Sequence, residues 1–215
     1  MPVLGVVAAF AGVRFWPYGI ILIWFGLCCI VLGFAYLRPG LNLFCKTDTG
    51  RIPLYMSVIA FPYLAFTYVV WRVNVGLVSE SALIVIDDNL IVGRRLFPHE
   101  LPRQVTHVVD LTTEFSEPSG VVERVAYQHL PIMDGHVPLR DRLLQTLEEL
   151  PEDAVVYIHC AQGHGRTGLV AMALLFLRGE IASVSEGISL LQSKRPGIRL
   201  NSAQTGFIET VMGRG

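Results

Sequence analysis

One stretch constrains this chain more than any other: Val155-Val156-Tyr157-Ile158-His159-Cys160-Ala161-Gln162-Gly163-His164-Gly165-Arg166-Thr167-Gly168. An apolar, β-branched run reads as a central strand, the glycine-rich segment as a tight loop, and the nearly all-apolar run from Arg166 onward as a buried helix. A strand-to-helix turn of this kind aims successive backbone N–H groups, and the positive end of the helix dipole, at one point in space. It is an anion cradle. The same dipoles favour the thiolate form of a cysteine at the base of the loop, which makes Cys160 a candidate nucleophile. Arg166 adds a planar, permanently charged fork suited to two oxygens of a phosphoryl group. Ala161, Gln162, Gly163, His164 and Gly165 form the loop between them and are the candidate substrate contacts, with His164 at its crest.

The segment His159-Cys160, five residues, then Arg166-Thr167-Gly168 resembles the signature of the cysteine-dependent protein tyrosine phosphatases, most closely the dual-specificity branch. The resemblance covers residues ~90–210 and implies a phosphatase-like α/β domain that works through a phosphocysteine. It also implies roles around the nucleophile. His159 would support the thiolate through hydrogen bonds around the loop, and the Thr167 hydroxyl would donate to sulfur as Cys160 departs. Residues 195–204 resemble the segment that closes the pocket, where Asn201 or Gln204 would position the hydrolytic water; Asn201-Ser202 reads equally well as a helix cap.

A phosphomonoester transferred to Cys160 needs its leaving oxygen protonated, which calls for a carboxylic acid on a movable loop. Residues 130–138 fit: they follow a strand, prolines bound them, and Gly135 gives the loop freedom. Asp134 is therefore the candidate general acid, in the part of the chain where the resemblance places the acid loop. Asp141 lies inside the next helix, and His136 is better placed as a loop or substrate contact. Glu114 and Asp110 sit at or after a strand end; they are suited to orienting Arg166, but loop carboxylates of this kind more commonly face water. No metal-ligand spacing is visible, and the two-step chemistry calls for no cofactor.

The expected architecture of residues 76–215 is a central, mainly parallel sheet covered by helices on both faces. Strands are expected at residues 83–86, 90–93, 105–111, 125–130 and 154–158. Helices are expected at 138–150, 166–178, 183–194 and 202–212. Leu139, Leu143, Leu147 and Leu150 recur on one face of the first helix.

Residues 1–75 read differently. The whole chain carries 16 % charged residues and a mean hydropathy of +0.50, and the apolar excess sits in this first third. Residues 19–37 and 52–71 are uncharged, each about the ~20 residues that a membrane helix requires. They predict an N-terminal transmembrane helical hairpin of two spans; residues 3–13 look too short to span alone. Arg38, Lys46 and Arg51 in the connector favour a cytoplasmic connector, whereas thiolate chemistry favours a cytoplasmic catalytic part. The chemistry decides for the latter, giving a multi-pass membrane protein. The cysteines, Cys28, Cys29, Cys45 and Cys160, form no disulfide framework.

A net charge of −1 gives no sign of a nucleic-acid partner. The expected function is a membrane-anchored phosphatase acting on phosphoproteins at phosphotyrosine, phosphoserine or phosphothreonine. The alternative is a phospholipid headgroup phosphatase, for a singly phosphorylated headgroup such as phosphatidylglycerophosphate, since the loop offers no Lys for a highly phosphorylated inositol. A silent phosphate-binding scaffold would leave the nucleophile, arginine and acid without a use, and a sulfurtransferase would leave Arg166-Thr167 unexplained.

Overall fold

The computed structural model describes residues 2–35, 37–38 and 40–213. In chain order the elements are α1 (Pro2–Arg14), α2 (Ile20–Ala35), α3 (Leu54–Ile59), α4 (Phe61–Leu77), β1 (Leu83–Asp87), β2 (Leu90–Arg94), a 3-10 turn (Pro98–Glu100), β3 (His107–Asp110), α5 (Ser119–Val122), β4 (Ala126–His129), α6 (Arg140–Glu148), β5 (Val156–Cys160), α7 (Gly165–Leu177), α8 (Val184–Lys194) and α9 (Ser202–Val211).

The strands form one five-stranded sheet in the order β1-β2-β5-β3-β4. β1 and β2 make an antiparallel hairpin, and β2, β5, β3 and β4 pair in parallel. The strand bearing the Cys therefore lies at the centre, where both edges of its backbone are paired. Alternation along β5 divides its side chains between two cores. Val156, Ile158 and Cys160 join the cluster formed with Leu143, Leu169, Leu191 and Ile208, and Tyr157 faces Ile91, Leu96, Leu101 and Val108 on the other side.

Helices do not share the two faces equally. α6 to α9 supply the first core, whereas the second is closed by residues 96–105 and the single turn of α5. In α6, Leu143 and Leu147 are buried but Leu139 is 51 % exposed, because the helix begins only at Arg140 and Leu139 is its N-cap. The last helix carries the cap that its sequence suggests: Asn201 Oδ1 accepts from Gln204 N at 2.9 Å, and Gln204 Oε1 accepts from Asn201 N at 3.2 Å.

The predicted membrane hairpin is not found. α2 has 16 residues and α4 has 17, lengths of about 24–26 Å at ~1.5 Å per residue, short of the ~30 Å hydrocarbon core. The run 52–71 breaks at Ala60, between α3 and α4, and α4 continues past it through Arg72. Among the described residues, no helix is long and apolar enough to cross a membrane. The expected two spans, the multi-pass placement and the cytoplasmic side assigned to the catalytic part are corrected accordingly. Tyr36, inside the first of the two runs, lies outside the described residues.

The N-terminal helices instead pack on one another and on the sheet domain. α1 lies against α2 so closely that a Cβ on Gly5 would come 2.6 Å from Gly26 O. Their outer faces carry exposed apolar side chains such as Val3, Phe10, Leu27 and Phe34. Their inner side reaches the loop before α6: Leu32, Ala35, Phe44 and Ala60 bury Met133, the residue before Asp134.

Candidate active site

Cys160 ends β5, 3 % exposed, and its Sγ accepts the N–H of Gly163 at 3.2 Å. The loop crosses the end of β2, and Gly163 takes φ +74° there. A Cβ at that position would fall 2.3 Å from Gly93 C, so the crossing requires glycine. The carbonyls of the loop point outward to donors that hold it. Arg95 N donates to Cys160 O at 2.8 Å, and Trp71 Nε1 donates to Ala161 O at 3.1 Å. Arg195 donates to Gly163 O at 2.9 Å and to Gln162 O at 3.1 Å. With its carbonyls engaged behind, the loop is free to turn N–H groups toward the sulfur.

Arg166, in the first turn of α7, is 2 % exposed. Its Nη2 and Nη1 donate to the two oxygens of Glu114 at 2.8 and 3.2 Å, and Nη1 also reaches Ile132 O at 3.0 Å. Burial works against charge on both partners, but each stabilises the other's ion: the Arg166 pKa is raised and the Glu114 pKa is lowered. Glu114 is thus the brace that fixes the guanidinium plane, not a water-facing loop acid. Asp134 lies on the loop before α6 with its side chain 80 % exposed and Oδ1 3.4 Å from Arg166 Nη2. Asn201 Nδ2 donates to Gly135 O at 2.8 Å and Gln204 Nε2 to His136 O at 3.2 Å, so the capping pair of α9 also clamps the loop that carries Asp134. Cys160, Ala161, Gln162, His164, Gly165, Arg166, Glu114 and Asp134 line one cleft.

Two residues expected to support the nucleophile make no hydrogen bond to its sulfur among the described residues. The His159 ring stacks on Tyr157 at 5.4 Å, since strand alternation turns it to the face opposite Cys160. Neither ring nitrogen completes a hydrogen bond to a described residue, but the ring lies against the Cys160 backbone, which favours its charged form; burial outweighs this and lowers the His159 pKa to about 4. The Thr167 hydroxyl is buried and likewise without a partner, so it makes no hydrogen bond to Sγ. His164 Nε2 is 2.6 Å from Glu80 Oε2, which ties the loop crest to the segment before β1.

Behind the loop lies a charged cluster that the sequence reading did not identify. The Lys46 ammonium is buried on Asp110 Oδ2 and donates to Thr112 O at 3.1 Å, while Tyr127 OH donates to the same Asp110 oxygen at 2.8 Å. Burial opposes ionisation of Asp110, but Lys46 outweighs it and holds the carboxyl far below the usual carboxylate range. Glu117, 3.6 Å from Arg95, is pushed up to about 8 by burial and by Asp110. Asp110, Glu117 and His159 bring ligand atoms within 4.8 Å of one another, with Lys46 and Arg95 already placing two fixed cations against the carboxylates. Lys46 reaches this position through a turn in which Asn42 Oδ1 accepts from Lys46 N at 3.0 Å and Cys45 takes φ 52°, rare for a side-chain-bearing residue. In the sequence Lys46 reads as a connector charge and residue 71 as the end of an uncharged run; only their tertiary partners disclose their roles.

The comparisons agree with this geometry. The family model described as "Swiss Army Knife protein, DSP-PTPase phosphatase domain" matches residues 98–206, half of the chain, including Glu114, Asp134, Cys160 and Arg166. The candidate tyrosine phosphatase 197R of Invertebrate iridescent virus 6 is 34 % identical over 85 residues, covering 34 % of this chain and 32 % of the viral protein. The chain thus matches about a third of that relative's length. Among solved structures, the active form of Tk-PTP is 28 % identical with a TM-score of 0.55, over 62 % of this chain and 98 % of that one. Human DUSP28 shares the fold at 16 % identity and a TM-score of 0.53, over 62 % and 95 % of the two chains. The buried Cys–Arg loop and the matched model lead to one assignment: the chain belongs to the Swiss Army Knife DSP-PTPase phosphatase family and carries a dual-specificity-type protein tyrosine phosphatase domain.

Proposed function

We propose that this chain hydrolyses phosphomonoesters in two steps through Cys160. The Sγ thiolate attacks phosphorus and the ester P–O bond breaks. Asp134 gives its proton to the departing oxygen, and Arg166 with the loop N–H groups holds the equatorial oxygens. Water then attacks the phosphocysteine, Asp134 takes back a proton, and the S–P bond breaks to release phosphate. One observation carries this reading: Glu114 locks the Arg166 guanidinium beside Asp134 at the mouth of the loop that cradles Cys160.

The family description and the name of the viral relative support a phosphoprotein bearing phosphotyrosine, phosphoserine or phosphothreonine as substrate. A second reading, an ester carrying an apolar arm, has its own support in the apolar wall of the cleft. Purified protein assayed on p-nitrophenyl phosphate tests the reaction. The native chain should turn over, be inhibited by orthovanadate and be indifferent to EDTA, because nucleophile, acid and anion cradle all come from the chain itself. Cys160→Ser should fall to background. Retained turnover in Cys160→Ser overturns the proposal.

A further inference from the structure

The cleft above Cys160 has a volume of about 480 Å³, and residues outside the matched family region build much of its wall. Leu32, Phe44, Tyr63, Phe66, Val70 and Trp71 face the loop from the N-terminal segment. This wall is fixed in place. Trp71 is 2 % exposed, bonded to the loop through Ala161 O and packed against Phe97 and Phe115 at 5.4 and 5.9 Å. Phe44 stacks on Tyr63 at 5.8 Å.

A second cavity of about 350 Å³ adjoins the cleft. It shares Leu32, Phe44 and Tyr63 with the cleft and is otherwise lined by residues such as Leu43 and Met56, with no charged side chain. Two of its polar groups are already engaged, since Trp24 Nε1 and Cys28 Sγ both donate to Ile59 O. Among the described residues, the cleft offers one arginine, Arg166, which Glu114 and Asp134 flank. That balance suits a single phosphate and disfavours several.

We propose that the N-terminal segment forms a tail site, and that the preferred substrate is a singly phosphorylated ester bearing a long alkyl or acyl chain. Its phosphate sits at Cys160, and its chain runs past Leu32, Phe44 and Tyr63 into the second cavity. The proposal rests on the phosphatase reading above and narrows its substrate class. Binding energy gained by the tail, remote from the reacting atoms, is available to the transition state.

Full-length protein assayed on butyl, octyl and dodecyl phosphate below their micelle concentrations tests this, with p-nitrophenyl phosphate and a phosphotyrosine peptide as references. We expect kcat/KM to rise about two- to fourfold per added methylene until the groove is filled. Met56→Trp, which obstructs the second cavity, should collapse the dodecyl-to-butyl ratio at least tenfold; Leu43→Trp is the second obstruction should the first fail to fold. No turnover of p-nitrophenyl phosphate by the native chain would sink the phosphatase reading itself. Turnover of p-nitrophenyl phosphate with no dependence on chain length, a phosphotyrosine peptide preferred over dodecyl phosphate, or an unchanged ratio in a folded obstructed variant would overturn the tail site alone.

Discussion

Asp134 and Glu114 both approach Arg166, yet one is 80 % exposed and the other nearly buried, and this difference separates their roles. An exposed carboxyl on a loop can exchange its proton with water between steps; a buried one paired to a guanidinium cannot. Asp134→Asn should therefore lower turnover by roughly 10²–10⁴-fold on alkyl phosphates and far less on aryl phosphates, whose leaving groups need little protonation. Equal losses on both would assign Asp134 a structural role. Glu114→Gln should cost about 10²-fold in kcat/KM, since the arginine fork loses its charged brace and small misplacements are that costly; wild-type kinetics in that variant would remove Glu114 from the site. Cys160, Arg166 and Asp134 were legible in the sequence because each belongs to a local pattern of strand, loop and helix. Glu114 reads in the sequence as suited to orienting Arg166 but more commonly a water-facing acid, since its burial depends on a guanidinium 52 residues away in the chain.

The connector between α2 and α3 is where local reading and tertiary structure diverge most. An uncharged run looks the same whether it will cross a bilayer or cover a cleft, and hydropathy cannot register the break at Ala60 or the shortness of α2. Lys46 reads as a connector charge but is buried against Asp110, the last residue of β3. Replacing it with Met leaves a buried carboxylate uncompensated, so Lys46→Met should destabilise the fold by about 3–5 kcal/mol in urea unfolding. A loss below ~1 kcal/mol, the worth of an exposed pair, would show that this contact does not hold the connector to the sheet. By contrast α7, α8 and α9 were placed to within a residue or two, because an all-apolar run, a Ser183 cap and an Asn201 capping box are local signals.

At the scale of the whole molecule, the loop after Cys160 is held by Arg95 N, by Trp71 of the N-terminal segment and by Arg195, and a charged cluster joins Lys46 of the N-terminal segment to the sheet at Asp110. That cluster should set the pH dependence of stability. The Glu117 pKa rises from 4.5 to about 8 on folding, so its contribution is complete below 4.5 and is lost as pH rises toward 8. The His159 pKa falls from 6.5 to about 4, so its contribution is complete above 6.5 and is lost as pH falls toward 4. Between pH 6.5 and 8, Glu117 alone of the two is changing. The Tm should decline across that window, and Glu117→Gln should flatten the decline; a native Tm that rises from pH 6.5 to 8 would contradict the assignment. The parallel sheet and its helical layers followed from alternation and helical period in the sequence, whereas the joining of residues 32–74 to the cleft depends on contacts between distant segments that no local pattern encodes. The most direct test of the whole account is acid-quenching the full-length protein during turnover of p-nitrophenyl phosphate and mapping the bound phosphoryl group by mass spectrometry. One phosphoryl group on the peptide containing Cys160, and none in Cys160→Ser, is the expected result; phosphoryl on another residue, or steady turnover with Cys160 never modified, would rule out Cys160 as the nucleophile.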